Sequence, residues 1–510
     1  MFRAMTSPRA VTGLSAIAAA SMFAAVAQAQ VAPVMSCDAS GIGSVKLKAD
    51  KPPKILEAVS AIVGKDASAV PYCLVKVLVP DAVNIWVTLP MEGKWNGKLQ
   101  SIGGGGYAGT VTAPTTPVLG GYVGVATDTG HSDVDGSFGM KSPGVANKPL
   151  WVDFAYRSEH LMAVVGKQLA QAFYGQGPQF SYWNGCSTGG RQGLMMAQRF
   201  PDDYNGILAG APAINWDRLK VAQIWPQVVM LRENGGVVPS ARFSAATAAA
   251  VATCDTQDGV KDGVLEDPRA CKFDANDLVC PAASGDTCFT AGQAAAVNKI
   301  WEGPKGLWYG LTRGTPVQQV LAAPQPYIVA ANTPRYWVYL DPTWDWQQLT
   351  YDNFDKLSED TVRAVGRVLA TDNPNLKTFR KHGGKLVMWH GWSDPVIMPE
   401  GTIDYYEKVV KRNGGKLEQT QQFARLFMAP GVGHCFGGAG PQPQGLFDSV
   451  VNWVEKGEAP ESILASKSVG EVGTRTRPLC PYPAVAAYKG SGSTDDASNF
   501  SCGGPRTAQR

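Results

Sequence analysis

Residues 185–190 read GCSTGG and lie between a predicted strand, residues 179–183, and a predicted helix, residues 191–200. So short a junction requires a sharp turn, and the glycines on both sides of Ser187 permit the close backbone approach that such a turn creates. The turn would strain the backbone at Ser187, expose its hydroxyl and direct the next N–H group toward the same space. The motif therefore predicts a nucleophilic serine at the end of a strand in an α/β fold.

Strand and helix patterns alternate on both sides of this motif. Strands are predicted at residues 74–79, 83–89, 99–102, 121–127, 179–183, 206–209, 385–390 and 425–429, and helices at 159–173, 191–200 and 405–412. Such alternation favours a mostly parallel sheet covered by helices. The interval between residues 214 and 378 interrupts it with Trp-, Tyr- and Pro-rich segments. We therefore predict one α/β core, residues 30–213 and 379–510, with an inserted lid, residues 214–378.

The first 29 residues have the pattern of a cleaved signal peptide. Arg3 and Arg9 precede an uncharged, Ala-rich stretch at residues 11–26, and residues 27–29 form a small-x-small cleavage site. A transmembrane anchor is the alternative, but the stretch is short for a span and contains polar residues. We therefore predict a secreted or periplasmic protein with no membrane attachment after cleavage. A net charge of +3 with no Lys/Arg-rich run argues against nucleic-acid binding.

A serine nucleophile needs a histidine base and an acid, and in folds with this turn the acid and then the histidine follow the serine along the chain. His434 is the best candidate base, because it lies in a tight loop directly after the strand at residues 425–429. Asp394 is the best candidate acid, just beyond the strand at residues 385–390. The weaker candidates are His390, which we expect to orient its neighbours, His382, which we expect on the surface, and Asp404 in the following helix.

A four-glycine run, residues 103–106, follows the predicted strand at residues 99–102. It lies where the loop that stabilises a developing oxyanion is expected, and glycine lets the backbone approach a substrate closely. We therefore predict the N–H groups of Gly106 and Thr188 as the two donors of an oxyanion hole. The alternative is a phosphate-binding loop, but the run lacks a Gly-Lys-Ser/Thr ending and an acidic partner at dinucleotide spacing.

The chain has ten cysteines, an even number that allows up to five disulfides in an exported protein. Cys186 directly precedes Ser187, and Cys435 directly follows His434. A bridge between these two cysteines would hold the loops of the candidate nucleophile and base together across almost half of the chain. The alternative is a pair of unrelated buried thiols.

Residues 254–267 read CDTQDGVKDGVLED and form an acidic, Gly-containing loop. Carboxylates and backbone carbonyls are the ligands that Ca²⁺ prefers, so Asp255, Asp258 and Asp262 predict a calcium site. The glycines and the terminal glutamate do not fit the EF-hand register. Cys254 and Cys271 bracket the loop, which favours a stapled metal site that stabilises the lid over the alternative, a solvated acidic turn.

Together these residues resemble the tannase and feruloyl esterase family, which also includes the mono(2-hydroxyethyl) terephthalate hydrolases. The family has a CS-D-HC arrangement, matched here by Cys186 and Ser187, by Asp394, and by His434 and Cys435. The similarity covers nearly the whole mature chain. Further matching segments are WNG at 95–97, the glycine run, RFP at 199–201, GAP at 210–212, the acidic loop, and RTRPLCPYP at 475–483.

The resemblance implies an α/β-hydrolase core sheet with a large inserted lid domain, and a serine esterase that uses Ser187, His434 and Asp394. It implies Ca²⁺ bound by the Asp255, Asp258 and Asp262 side chains and by the carbonyls of Val260 and Val264. It also implies five disulfides, namely Cys37–Cys73, Cys186–Cys435, Cys254–Cys271, Cys280–Cys288 and Cys480–Cys502.

Members of this family hydrolyse esters of aromatic acids, so the resemblance implies a small aromatic ester as the substrate. We expect a ferulate or chlorogenate ester first, a galloyl ester second and a terephthalate half-ester third. The lid is short beside that of the terephthalate half-ester hydrolases. A non-catalytic secreted binding protein with the same fold is the alternative from another class, and the intact Ser, Asp and His argue against it.

Overall fold

A computed structural model of the chain describes residues 31–281, 285, 287–316, 323–470 and 473–504. The strands are β1 (Lys54–Val63), β2 (Val70–Val79), β3 (Val83–Pro90), β4 (Lys98–Ile102), β5 (Val123–Thr127), β6 (Met140–Ser142), β7 (Val145–Ala146), β8 (Phe180–Cys186), β9 (Gly206–Gly210), β10 (Lys385–Gly391), β11 (Ala424–Ala429), β12 (Gln442–Pro443), β13 (Ile463–Ser468), β14 (Thr474–Leu479), β15 (Val485–Tyr488) and β16 (Phe500–Gly503).

The α-helices are α1 (Thr115–Leu119), α2 (Lys148–Val152), α3 (Ser158–Tyr174), α4 (Thr188–Arg199), α5 (Trp216–Ala222), α6 (Trp225–Asn234), α7 (Ser240–Cys254), α8 (Ala291–Glu302), α9 (Ile328–Thr333), α10 (Tyr351–Leu369), α11 (Lys377–Lys381), α12 (Pro399–Arg412), α13 (Leu417–Gln421) and α14 (Leu446–Lys456). Within the described residues, no helix is both long and apolar enough to cross a membrane. The predicted signal peptide, residues 1–29, lies outside the described residues.

One large sheet carries the core and has the strand order β1-β2-β3-β5-β4-β8-β9-β10-β11. Pairing is antiparallel from β1 through β3 to β5 and parallel from β5 to β11. In the parallel part, all five residues of β9 are buried, as expected for strands that helices cover on both faces. The predicted α/β class with a mostly parallel sheet is confirmed.

The parallel strands end at one edge of the sheet, where their connections to the helices begin. Ser187 directly follows β8, Asp394 follows β10 by three residues, and His434 follows β11 in the next loop. The glycine run directly follows β4, which is the neighbour of β8. Open α/β sheets bind ligands outside the carboxyl ends of their strands, so this edge is the expected place for a site.

The segment between β9 and β10 is largely helical, and its described residues add no strand to the large sheet. The lid boundaries at residues 214 and 378 stay a prediction. Trp337 from this segment stacks on Tyr107 at 5.9 Å and on Trp151 at 5.0 Å between ring centroids. The Tyr107 hydroxyl also donates to the Val329 carbonyl at 3.0 Å. Because Tyr107 follows Gly106, these contacts fix the glycine loop against the helical segment.

Several elements differ from the sequence-based prediction. Helix α4 begins at Thr188, three residues before the predicted start, because it starts at the turn itself and Gly189 and Gly190 weaken the helical pattern of its first turn. Helix α12 begins at Pro399, a residue suited to the first helical position, rather than at residue 405. Strand β1 was not predicted. Strand β16 was not predicted either, and it pairs with β15.

Candidate active site

Ser187 occupies the sharp turn that the sequence predicts. Its backbone has φ 63° and ψ −125°, a conformation that residues other than glycine rarely adopt. The turn leaves no room for side chains on the glycines around it. A Cβ at Gly185 would lie 2.6 Å from the Gly189 backbone, and one at Gly189 would lie 3.1 Å from the Gly103 backbone. The Ser187 N–H donates to the Gly210 carbonyl at 2.9 Å, which anchors the turn to β9.

The structure brings the two other candidate catalytic side chains together. His434 Nδ1 lies 2.7 Å from Asp394 Oδ2. The Asp394 side chain is fully buried, whereas that of His434 is 23% exposed. Burial pushes the pKa of Asp394 up, but the charge of His434 and the hydrogen bonds from His390 and His434 outweigh it, so the pKa stays well below its usual range. An ionised Asp394 can therefore orient the imidazole and stabilise its protonated form.

The alternative acid and base take part in other contacts. Asp404 Oδ2 accepts a hydrogen bond from Lys408 Nζ at 2.6 Å on the surface of α12. His382 is 43% exposed and pairs with Asp202. His390 is fully buried and also contacts Asp394. Of the candidates that follow Ser187, His434 alone therefore combines partial exposure with a contact to the buried carboxylate.

The Cys186–Cys435 disulfide holds the serine turn and the histidine loop together. Its two Cα atoms lie 6.0 Å apart. Because each cysteine is the chain neighbour of a candidate catalytic residue, this bond keeps Ser187 and His434 on adjoining loops. The close approach of the His434 loop to β10 adds to this, since a Cβ at Gly391 would lie 2.3 Å from the Val432 carbonyl oxygen.

The glycine run supplies one wall of the candidate oxyanion hole. The N–H groups of Gly103 and Gly104 are already used, because they donate to the Asn184 carbonyl at 3.0 Å and to Gln192 Oε1 at 2.9 Å. The hydrogen bonds of the described residues include no acceptor for the N–H of Gly106 or of Thr188. The Thr188 hydroxyl donates to the Gly106 carbonyl at 2.6 Å, so a hydrogen bond joins the residues of the two predicted donors.

Sequence reasoning missed the side chains behind this loop. Gln192 connects the Gly104 N–H to Glu159, whose Oε1 accepts from Gln192 Nε2 at 2.5 Å. Glu159 is fully buried, and its burial raises the pKa to about 7. A glutamate on the apolar face of the helix predicted at residues 159–173 was the available signal, because a buried carboxyl needs a polar partner.

Comparison with known proteins decides the family. The sequence profile described as "Tannase and feruloyl esterase" matches residues 69–324 and 321–503. This chain belongs to the tannase and feruloyl esterase family. A probable feruloyl esterase of Arthroderma benhamiae is 38% identical to it over 464 residues, which cover 86% of each chain. The mono(2-hydroxyethyl) terephthalate hydrolase of Piscinibacter sakaiensis is 32% identical over 82% of this chain and 81% of its own.

Solved structures agree with this assignment. The crystal structure of feruloyl esterase B from Aspergillus oryzae superimposes with a TM-score of 0.79 at 27% identity, and the match covers 90% of this chain and 98% of that one. The predicted α/β-hydrolase core is therefore confirmed. This member of the tannase and feruloyl esterase family is a feruloyl esterase-like carboxylic ester hydrolase.

The five predicted disulfides of this esterase are confirmed. Besides Cys186–Cys435, the bonded pairs are Cys37–Cys73, Cys254–Cys271, Cys280–Cys288 and Cys480–Cys502. Their Cα–Cα separations lie between 5.3 and 6.0 Å, within the normal range for disulfides. One pair therefore joins the loops of the candidate catalytic residues, and another closes the acidic loop.

The acidic loop brings its carboxylates close to one another and to the tail of the esterase. Asp255 accepts backbone hydrogen bonds from Asp262, Gly263 and Val264, and Asp258 accepts one from Val260. Asp262 forms an ion pair with Arg477 from β14.

The carboxylate and carbonyl oxygens of this loop are of the type that Ca²⁺ prefers. Burial and the nearby charges of Asp262 and Asp255 raise the pKa of Asp258 to about 6, although the backbone hydrogen bond from Val260 lowers it. Excess negative charge of this kind is what a cation would neutralise. However, the described residues contain no group of three His, Cys, Asp or Glu side chains placed to share one metal ion. The calcium site, including the carbonyls of Val260 and Val264, stays a prediction.

Proposed function

We propose that this enzyme hydrolyses esters of hydroxycinnamic acids through an acyl-enzyme formed on Ser187, with His434 as base and Asp394 as the orienting acid. The main support is the hydrogen bond of 2.7 Å between His434 and Asp394. His434 lies on a loop that the Cys186–Cys435 disulfide joins to the serine turn. Nucleophile, base and acid are thereby all present at one edge of the sheet.

The reaction follows from these groups. The Ser187 hydroxyl attacks the acyl carbon while His434 Nε2 accepts its proton, and Asp394 stabilises the resulting imidazolium. The N–H groups of Gly106 and Thr188 donate to the oxyanion. His434 then protonates the leaving alcohol as the ester C–O bond breaks. Water, deprotonated by His434, attacks the acyl-enzyme and releases the carboxylic acid and the free serine.

A panel of esters tests the acyl specificity. We expect kcat/KM to be highest for methyl ferulate or chlorogenate, lower for methyl gallate and lowest for mono(2-hydroxyethyl) terephthalate. The names of the relatives support ferulate in first place, since several are named feruloyl esterase or probable feruloyl esterase at 32–38% identity. A higher kcat/KM for the gallate or the terephthalate ester would show that this ester, and not the ferulate ester, is the preferred substrate. Failure to hydrolyse any ester and to react with a fluorophosphonate probe would favour a non-catalytic binding protein.

We also propose that Ca²⁺ binds the acidic loop through Asp255, Asp258 and Asp262 with the carbonyls of Val260 and Val264. The charge around Asp258 and the Cys254–Cys271 bond that closes the loop support this proposal. When bound, the ion would neutralise these carboxylates and stiffen the loop against β14. We assign the ion a structural role, because among the described residues no hydrogen bond or ion pair joins the acidic loop to Ser187, Asp394 or His434.

Removal of calcium is expected to lower the thermal stability. A chelator-treated enzyme should gain about 2.7 kcal/mol of unfolding free energy when Ca²⁺ is added at one hundred times its Kd. An Asp258→Asn variant should lose this calcium response. Asp341→Asn serves as the matched control, because Asp341 is an exposed lid carboxylate that accepts bonds from Thr343. Equal melting temperatures with and without Ca²⁺ would refute the site.

We infer that the protein is exported, with residues 1–29 removed, to the periplasm or the medium. Its five disulfides support this, because such bonds persist in oxidising compartments. N-terminal sequencing of the mature protein would then find Gln30 first, and an intact Met1 would contradict cleavage.

A further inference from the structure

Asp394 contacts a second imidazole besides that of His434. His390 Nε2 lies 3.0 Å from Asp394 Oδ2, the same oxygen that His434 Nδ1 contacts at 2.7 Å. The side chains of His390 and Asp394 are both 0% exposed. A single carboxylate oxygen is therefore shared between an imidazole that faces the site and one that is sealed inside the core.

The contacts of His390 assign its proton. An ionised carboxylate only accepts hydrogen bonds, so His390 Nε2 must carry the hydrogen. On the opposite side of the ring, Nδ1 lies 2.8 Å from the hydroxyl oxygen of Thr402, which is 1% exposed. In the neutral imidazole this Nδ1 accepts the hydroxyl hydrogen, so Thr402 selects the tautomer that donates to Asp394.

The other carboxylate oxygen is fixed by the backbone. Asp394 Oδ1 accepts the N–H groups of Val396 at 2.7 Å and Ile397 at 2.9 Å. Four donors thus surround the buried carboxylate. Within the described part of the chain, no other charged side chain forms a hydrogen bond or ion pair with His390, Asp394 or His434.

We propose that His390 is a positioning residue that acts through Asp394 on His434. This inference rests on the proposed roles of Ser187, Asp394 and His434. The N–H of His390 holds the carboxylate in the plane that His434 needs. It also binds part of the negative charge of Oδ2 that would otherwise face His434.

Because His390 is sealed from solvent, it can act on the reaction only through this contact. Strand β10 ends at Gly391, so His390 and Asp394 lie on either side of the turn that aims the carboxylate toward the His434 loop. The backbone bonds to Oδ1 hold one end of the carboxylate, and His390 restrains the other. Without His390, Oδ2 would have His434 as its one remaining partner, and the carboxylate could move together with the His434 ring.

The test is the pH dependence of kcat/KM for a p-nitrophenyl ester. A His390→Leu variant should lose about 10- to 100-fold in kcat/KM, because a small displacement of catalytic groups has a cost of this size. The acid limb of its pH–rate profile should also move upward by about 0.5 to 1 pH unit, since more of the negative charge on Oδ2 would then face His434 and stabilise the imidazolium. A purely structural loss would lower the rate equally at every pH.

Further variants separate positioning from folding. His390→Gln can place an amide N–H near the position of Nε2 and should restore most of the rate and the native acid limb, whereas His390→Asn is too short and should behave like His390→Leu. Thr402→Val should shift the limb in the same direction, and Thr402→Ser should not. His382→Gln is the matched control, because His382 is a surface histidine with its own aspartate partner.

The outcomes also distinguish this inference from the proposed triad. Asp394→Asn should lower kcat by about 10⁴-fold, as loss of the orienting acid does in serine hydrolases. If Asp394→Asn stays active, the triad itself is wrong. If Asp394→Asn is inactive while folded His390→Leu or His390→Asn keeps the native acid limb, the triad stands and the positioning role of His390 is overturned. Melting temperatures of all variants establish which of them are folded.

Discussion

Ser187→Ala should lower kcat/KM toward a p-nitrophenyl ester by about 10⁵- to 10⁶-fold, the loss seen when a serine nucleophile is removed from a complete triad. The serine lies in a strained turn with φ 63°, which serves to present its hydroxyl. Alanine keeps the backbone and the neighbouring disulfide but offers no atom for acyl transfer. Steady-state kinetics, together with loss of fluorophosphonate labelling, measure the effect.

Ser181→Ala is the matched control for this prediction. Ser181 lies in the same strand, β8, and is 3% exposed, but it is six residues away from the turn. It should keep near-native activity and labelling. If Ser187→Ala keeps more than about one hundredth of the native rate, Ser187 is not the nucleophile, because no residual mechanism of a triad enzyme reaches that level.

Removing the Cys186–Cys435 bond should lower both stability and activity. A Cys186→Ala/Cys435→Ala variant should lose about 3–5 kcal/mol of unfolding free energy, since the bond closes a very long loop in the unfolded chain. It should also lose at least about tenfold in kcat, because the serine turn and the histidine loop would no longer be held in register. Urea unfolding and steady-state kinetics measure the two effects separately.

The Cys280–Cys288 bond provides the control for general disulfide loss. It joins residues only eight positions apart in the helical segment between β9 and β10. A Cys280→Ala/Cys288→Ala variant should lose about 2 kcal/mol and leave kcat unchanged. If the catalytic pair and the control pair affect kcat to the same extent, the bond between the catalytic loops has no registering role.

Local sequence patterns predicted the features of this protein that depend only on residues close to one another in the chain. Each candidate catalytic side chain follows a strand, and the carboxyl ends of parallel strands meet at one edge of the sheet. The placement of Ser187, Asp394 and His434 therefore follows from three local motifs and one rule of topology. The Cys186–Cys435 pair follows from the positions of its cysteines beside Ser187 and His434, but the complete set of five pairs was implied only by the resemblance to a family, because ten cysteines allow many pairings.

Contacts between distant segments could not be predicted in the same way. The Asp262–Arg477 pair joins residues that are 215 positions apart, and the Gln192 contact to Gly104 spans 88 positions. In such a pair, the sequence around one residue does not indicate which distant residue it contacts. Strand β1 was also missed. Three of its apolar side chains are exposed, so its sequence lacks the alternation of buried apolar and exposed polar residues that indicates a strand; these are Leu56, Val59 and Ile62.

The sequence by itself determined the serine turn, because glycines at 185 and 189 are required wherever the backbone must approach so closely. It also indicated the family, and it predicts the order of the acid and base along the chain. Only the tertiary structure decided that His390 shares Oδ2 of Asp394 with His434, and that Gln192 links the buried Glu159 to the glycine loop. The reason is physical: a buried polar group must find its partner in space, and the folded core determines which groups are within reach.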